Sequence, residues 1–411
     1  MAIVTGARDS AAPLQARSVA ILESSSQMGG IQHTTLALAT RLNRASWKPI
    51  VICPEEGDLS RSCRSAGVEV RILRPFPMYS TSVWVGNTAK VPNPFAWVWN
   101  TISIWTTAAK MANFLKTLRP DLVLTKGLLC HFYGGLAAHI THIPCLWYVQ
   151  DFISQRFRGI YTKVFGLMAR FVPTAVAVIG PQILRQLPRG VHTRAHVIYN
   201  AVDPAKFHTS TERTRVRNSL GVSPDVTLIG NAARLTPWKG QHHLLAAFAL
   251  IAPALPKAKL LLIGGSLFGD REYEHALRRT VHDLGLDGRV IFAGHRNDMA
   301  DMFAAMDVFA YCAVEKDICP LSLLEAMSAA LPIAAFDIPG VREAIVHRKE
   351  GVLVPIGDIN ALAAALLELS GNAELSRSLG ESARQRVELQ FCLDQHVVQM
   401  EYVFGEVLKT A

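Results

Sequence analysis

Two cations in one loop are the clearest chemical feature of the sequence. Arg234 and Lys239 lie in Asn231-Ala-Ala-Arg-Leu-Thr-Pro-Trp-Lys-Gly-Gln, directly after an apolar run of strand type. The Pro-containing turn between them lets both project from the carboxyl end of one strand. A guanidinium fork beside a mobile ammonium suits a leaving diphosphate. The alternative is a solvated basic loop.

A second constellation is Asp317-Ile-Cys-Pro-Leu-Ser-Leu-Leu-Glu325, with seven residues between two carboxylates. Pro320 opens a helix, so free backbone N–H groups at Leu321, Ser322 and Leu323 would face a ligand and bind phosphate. Glu325 would sit about a turn inside, placed for ribose hydroxyls, and Asp317 would stand free on the loop to meet a sugar. A capped helix preceded by a surface acid is the blander account. A third feature is the pair Gly29-Gly30 between the first apolar run and the first helical pattern, where the backbone can approach a ligand closely. Most such pairs are ordinary turns.

Absent motifs narrow the chemistry further. The chain has no P-loop, no G-x-S-x-G, no H-E-x-x-H and no D-x-D. Without D-x-D there is no carboxylate clamp of the usual kind for a divalent metal on a nucleotide diphosphate. No metal site and no cofactor are expected.

The elements that must position these residues are legible as alternating apolar runs and helical patterns. Residues 18–22, 49–53, 68–73, 121–125, 145–149, 175–179 and 196–199 read as strands with helices between them. The pattern restarts at residues 226–231, 259–264, 289–293, 308–311, 332–336 and 351–354. Strand–helix alternation implies parallel sheets covered on both faces. The expected class is α/β, two doubly wound Rossmann-like domains in tandem, with ligands in a central cleft outside the strands' carboxyl ends. The polar stretch 203–225, with Pro204 and Pro224, marks the boundary. The expected division is a flexible 1–17, a first domain over 18–205 and a second over 206–390.

Composition supports a folded, two-core protein. Of 411 residues, 50% are hydrophobic and 18% charged, which excludes disordered and low-complexity classes. The net charge of +9 fits an anionic ligand or an anionic membrane surface, and no motif for nucleic acid accompanies it. Seven scattered cysteines without a C-x-x-C pair argue against a disulfide scaffold and for a reducing, cytoplasmic setting. The stretch 95–112 is broken by polar residues and is not a membrane span. Its Trp97, Trp99 and Trp105 would either touch lipid headgroups or pack in the core.

Taken in order, these motifs resemble the retaining glycosyltransferases of the GT-B fold, the family 4 group, over nearly the whole chain from residue 18. The resemblance implies that Gly29-Gly30 faces acceptor and phosphate, and that Arg234 and Lys239 bind pyrophosphate. Phe292-Ala-Gly-His295-Arg296 is similar to the segment whose backbone meets the nucleotide base. Asp317 and Glu325 resemble the E-x7-E pair, with Asp for the first Glu. Gln150, in Trp147-Tyr-Val-Gln-Asp, stands where many members carry a His that contacts the donor sugar. Val197-Ile-Tyr-Asn-Ala-Val-Asp is similar to the inter-domain N-G-V-D segment, and a helix near residues 391–411 is expected to cross back and complete the first domain. The implied activity is metal-independent transfer, with retention, from a UDP-, GDP- or ADP-type donor to a saccharide or lipid-linked acceptor in polysaccharide or glycolipid assembly. Such an enzyme would be cytoplasmic or peripheral at the membrane. A nucleotide-sugar epimerase on the same fold, or a partner subunit with weakened turnover, are the rivals.

Overall fold

The structure is a computed structural model that describes residues 16–85, 89–153, 159–207, 213–266, 271–315 and 317–410. Most of the expected flexible start therefore lies outside the described residues. Arg17, placed in that start by the sequence reading, is the first residue of a strand instead, and its N–H donates to the Ser46 carbonyl at 2.9 Å.

The strands are β1 Arg17–Leu22, β2 Trp47–Cys53, β3 Glu69–Ile72, β4 Ser82–Val85, β5 Ala89–Pro92, β6 Leu122–Lys126, β7 Cys145–Val149, β8 Ala175–Val178, β9 Ala195–Val197, β10 Leu228–Ala232, β11 Lys259–Ile263, β12 Val290–Gly294, β13 Val308–Tyr311, β14 Ile333–Phe336 and β15 Val352–Val354. One sheet runs β3-β2-β1-β6-β7-β8-β9 and a second β12-β11-β10-β13-β14-β15; every pairing in both is parallel. Among the described residues only β4 and β5 pair antiparallel. The central strands are buried throughout, as apolar runs covered on both faces must be.

Helices fill the crossovers: α1 Gly30–Arg41, α2 Asp58–Ser65, α3 Pro94–Leu118, α4 Leu128–Ile140, α5 Ile160–Phe171, α6 Pro181–Leu184, α7 Arg189–His192, α8 Arg213–Ser219, α9 Gln241–Ile251, α10 Arg271–Asp283, α11 Met299–Ala305, α12 Leu321–Ser328, α13 Pro339–Arg342, α14 Ile359–Gly371, α15 Ala373–Gln390 and α16 Leu393–Lys409. Strand order reverses at β1, which lies between β2 and β6, and at β10, which lies between β11 and β13. Connections leave such a strand and its neighbour in opposite directions, so a crevice opens at its carboxyl end. Both crevices hold the loops singled out above: Gly29-Gly30 follows β1, and Arg234 with Lys239 follows β10.

The polar stretch at 203–225 is not a bare linker. It carries α8, whose Arg217 is buried and bonds the Ala305 carbonyl at 2.9 Å and Asp307 at 2.5 Å. The chain crosses between lobes twice. At the second crossing Val202 pairs with Cys392, and α16 returns to pack on α1, with Phe404 edge-on to Trp47 at 5.3 Å. His396 on α16 meets the Tyr199 carbonyl at 2.8 Å.

Candidate functional site

The second lobe supplies the cations. Two glycines let the β10 loop fold tightly: Gly240 has φ 72°, and a Cβ there would lie 1.9 Å from the Cys312 carbonyl oxygen. Gly264, at φ 132°, passes the Ala233 carbonyl equally closely. The loop is further tied by Gln241, whose side chain donates to the Arg234 carbonyl at 2.9 Å, and by Val314 N–H to Trp238 at 2.9 Å. Lys239 stands over the Trp238 ring, 4.3 Å from its centroid, and is ion-paired with Asp317.

Asp317 is thus not the free loop acid expected from sequence. Its carboxylate accepts from the Lys239 ammonium and from the Tyr311 hydroxyl. Burial and the neighbouring carboxylate both push the Tyr311 phenol well above its ordinary value, so it stays a proton donor in this trio. Tyr311 was missed in the sequence because it reads as the last apolar position of β13. The pair is only slightly exposed, so the attraction between its charges is less screened than at the surface.

Helix α12 begins at Leu321, and the Pro320 before it offers no side-chain cap. Leu321 and Ser322 present the first two amides of the helix, and neither has a backbone partner among the described residues. Leu323 does not join them: its N–H turns back to the Pro320 carbonyl at 3.1 Å. The first turn is tighter than an ideal helix, which leaves two donors rather than three. Glu325 lies one turn further and keeps a partial opening. Burial, with no compensating charge, pushes its carboxyl up to about 7.

The first lobe answers with α1, whose start is also uncapped. A Cβ on Gly30 would lie 3.7 Å from Leu321 Cδ1, so the amino ends of α1 and α12 face each other across the cleft. Two helix dipoles therefore converge on one volume, beside Arg234 and Lys239. Asp151, after β7, is near enough to Arg234 for the guanidinium to oppose the rise that desolvation imposes on its carboxyl. His295 is exposed and faces His33 on α1 closely enough to hold the His33 ring below its ordinary value, behind the larger effect of desolvation. The Arg296 guanidinium is occupied by Asp298, with Nε to Oδ1 at 2.8 Å. The Gly294 carbonyl in the same segment is taken by the Gly264 N–H at 2.8 Å.

Gln150 is buried, and its amide N–H groups donate to Thr34 and Asn200, each at 3.3 Å. Its carbonyl oxygen is buried without a hydrogen-bond partner among the described residues. Thr34 also accepts from Lys126 at 2.8 Å, and Lys126 faces Glu23 at 4.0 Å beneath α1. Asn200 continues the chain by donating to the Cys319 carbonyl at 2.9 Å. A polar thread thus runs from the first sheet through Gln150 into the loop that carries Asp317. Cys319 itself has φ 43°, a conformation that β-carbon-bearing residues rarely adopt. Sequence reasoning missed Thr34, Lys126 and Glu23, because no motif or spacing singles them out. Among the described residues no group of three or more His, Cys, Asp or Glu could hold a metal ion.

Both lobes thus turn positive charge and uncapped helix starts toward one cleft. Residues 28–206 match the family described as Glycosyltransferase Family 4, and residues 212–386 match Glycosyl transferases group 1. The chain is related to the glycosyltransferases of these two families. Its fold is GT-B. Alr3699/HepE of Anabaena, solved in complex with UDP-glucose, superposes with a TM-score of 0.80 at 22% identity, covering 95% of this chain and 99% of that one. Sucrose-phosphate synthase of Thermosynechococcus elongatus gives 0.72 at 18% identity, over 96% of this chain and 100% of that one. N-acetyl-alpha-D-glucosaminyl L-malate synthase of Bacillus anthracis is 29% identical over 52% of this chain and 54% of its own length. The chain thus spans about half the length of that relative, and 56% of the length of EpsD of Bacillus subtilis.

Proposed function

We propose that the chain transfers a sugar from a nucleotide-diphosphate sugar to an acceptor hydroxyl with retention at the anomeric carbon, in polysaccharide or glycolipid assembly. The observation that carries this reading is the approach of two uncapped helix starts, Gly30 and Leu321, beside the Arg234–Lys239 loop. In this reading the sugar–diphosphate bond breaks as the acceptor oxygen bonds to the anomeric carbon on the same face. The acceptor proton passes to a diphosphate oxygen. Charge on the departing diphosphate is met by Arg234, by Lys239 and by the Leu321 and Ser322 amides, with Gly29-Gly30 closing from the other lobe. Lys239 serves both partners: paired with Asp317 it is held in place, and the incoming phosphate competes for the same ammonium. Asp317, steadied by the Tyr311 hydroxyl, and the unpartnered oxygen of Gln150 hold the sugar, and Glu325 the ribose. The His295-Arg296 segment lies beside the base.

Fixed cations and helix starts supply the positive charge, so catalysis needs no metal. Relatives named for GDP-mannose and a neighbour solved with UDP-glucose make both donor types candidates, with ADP-sugars a third. The acceptor is a saccharide or a lipid-linked sugar, and the net positive charge supports a peripheral position at an anionic membrane surface. A thermal-shift screen against UDP-, GDP- and ADP-sugars, followed by NMR of the product's anomeric proton, tests the reading. Stabilisation by one nucleotide class and a retained configuration are expected. An inverted product would overturn the front-face scheme.

A further inference from the structure

Charge is not spread evenly along this chain. Residues 70–202 carry 14 Lys or Arg against two acids, Asp121 and Asp151, a net +12. The whole chain is +9, so the remaining residues together are −3. Within the segment, α3, α4 and α5 contain no Asp or Glu at all.

These three helices share one face of the first sheet. Helix α3 packs along α4, and Phe132 on α4 touches Tyr161 and Phe165 on α5 at 5.7 and 5.9 Å. Their outward sides are apolar. On α5 the exposed residues Ile160, Val164, Leu167 and Phe171 follow helical spacing, and the exposed Lys163 and Arg170 flank them. On α3 the same outward spacing places Phe95, Val98, Ile102 and Trp105 in solvent, with Phe95 86% exposed. Ordinary surface helices place charge on that side. Here the inward sides are apolar as well, so the outward stripes are not needed for the core.

We propose that the outer face of α3 and α5 is a docking surface for an anionic lipid bilayer. An apolar stripe edged by cations, with no acid to repel headgroup phosphates, lies in the plane of such an interface. Aromatic residues near the start of α3 suit the headgroup level. A second copy of the chain fits less well, because two surfaces from the +12 segment would meet. Both α3 and α5 begin at the edge where the strands end, so docking by this face places the cleft mouth beside the lipid. In purpose the inference rests on the proposed transfer to a lipid-side acceptor. Vesicle binding is read without donor or turnover, so the two readings can fail separately.

The test is co-sedimentation of the full chain with phosphatidylcholine vesicles, with and without phosphatidylglycerol. Binding should be about ten-fold or more tighter to the anionic vesicles and should weaken with added salt. Two double variants separate the contributions, Leu167→Ser with Phe171→Ser and Lys163→Glu with Arg170→Glu. Each should lose about ten-fold or more in vesicle binding while keeping the wild-type affinity for nucleotide sugar. Lys163 and Arg170 are both exposed, so the charge pair remains informative should the apolar pair unfold. Equal binding to both vesicle types, or unchanged binding by the charge variant, overturns the proposal. So does a solution dimer that the Leu167→Ser, Phe171→Ser variant dissociates, since the face would then belong to a second copy.

Discussion

Asp317 accepts from both Lys239 and Tyr311 in the cleft, and the roles proposed for the three depend on a carboxylate at 317. Replacing Asp317 by Asn removes the charge that holds Lys239 while keeping the size. Turnover should fall by about a hundred-fold, whereas Asp317→Glu should retain appreciable activity. Glu315, exposed on the same loop, should tolerate Gln; a dead Glu315→Gln beside an active Asp317→Asn would exchange their roles. Glu325 makes a different prediction, one of stability. Its carboxyl titrates near 4.5 when unfolded and about 7 when folded. Between those values the native state keeps a proton that the unfolded chain has lost, so stability falls as pH rises through this window and is flat above it. Glu325→Gln should therefore stabilise the protein above about pH 7, by up to about 3 kcal/mol, and leave it unchanged near pH 4. Denaturant melts at the two pH values measure this. The same variant should weaken donor binding, the usual cost where a buried charge serves a ligand.

Elements set how these side chains are presented. The starts of α1 and α12 were legible because Gly-Gly and Cys-Pro stand directly before helical patterns. The loop cations were legible because their strand was an unbroken apolar run. What the sequence did not disclose were contacts between distant segments. The ion pair of Lys239 with Asp317 spans two loops, and the link from Asn200 to Cys319 spans two lobes. The 3₁₀ character of the first α12 turn, which withdraws the Leu323 amide, also depends on a local geometry that spacing cannot report. The thread through Gln150 and Asn200 yields a prediction of its own. Asn200→Ala leaves the Cys319 carbonyl and the Gln150 amide short of a partner in a buried place. It should cost about 1–3 kcal/mol of stability and raise KM for donor, because the loop bearing Asp317 and the start of α12 lose their tether. A variant with wild-type melting and kinetics would show that the thread is idle. Gly240→Ala should be worse for folding, since its Cβ would collide with the Cys312 backbone in a left-handed conformation. Loss of several degrees in Tm is expected, read by calorimetry.

At the scale of the molecule, two parallel sheets turn their switch points toward one cleft. Among the described residues no helix is long and apolar enough to cross a membrane. The two-sheet α/β plan could be read from the restart of the strand–helix alternation near residue 226. The extent of the junction could not, because a charged, Pro-flanked stretch looks like a linker whether or not it folds. Helix α8 forms there since Arg213 and Arg217 find Asp307, a partner remote in sequence. In the proposed mechanism, charge fixed in the protein, and not a metal, holds the diphosphate between the lobes. Isothermal titration of UDP-, GDP- and ADP-sugars into the purified chain in excess EDTA tests it most directly. One site for at least one donor is expected, unchanged on adding Mg²⁺, and weakened about ten-fold or more by Arg234→Ala. Binding that appears only with Mg²⁺, or that ignores Arg234→Ala, would contradict it.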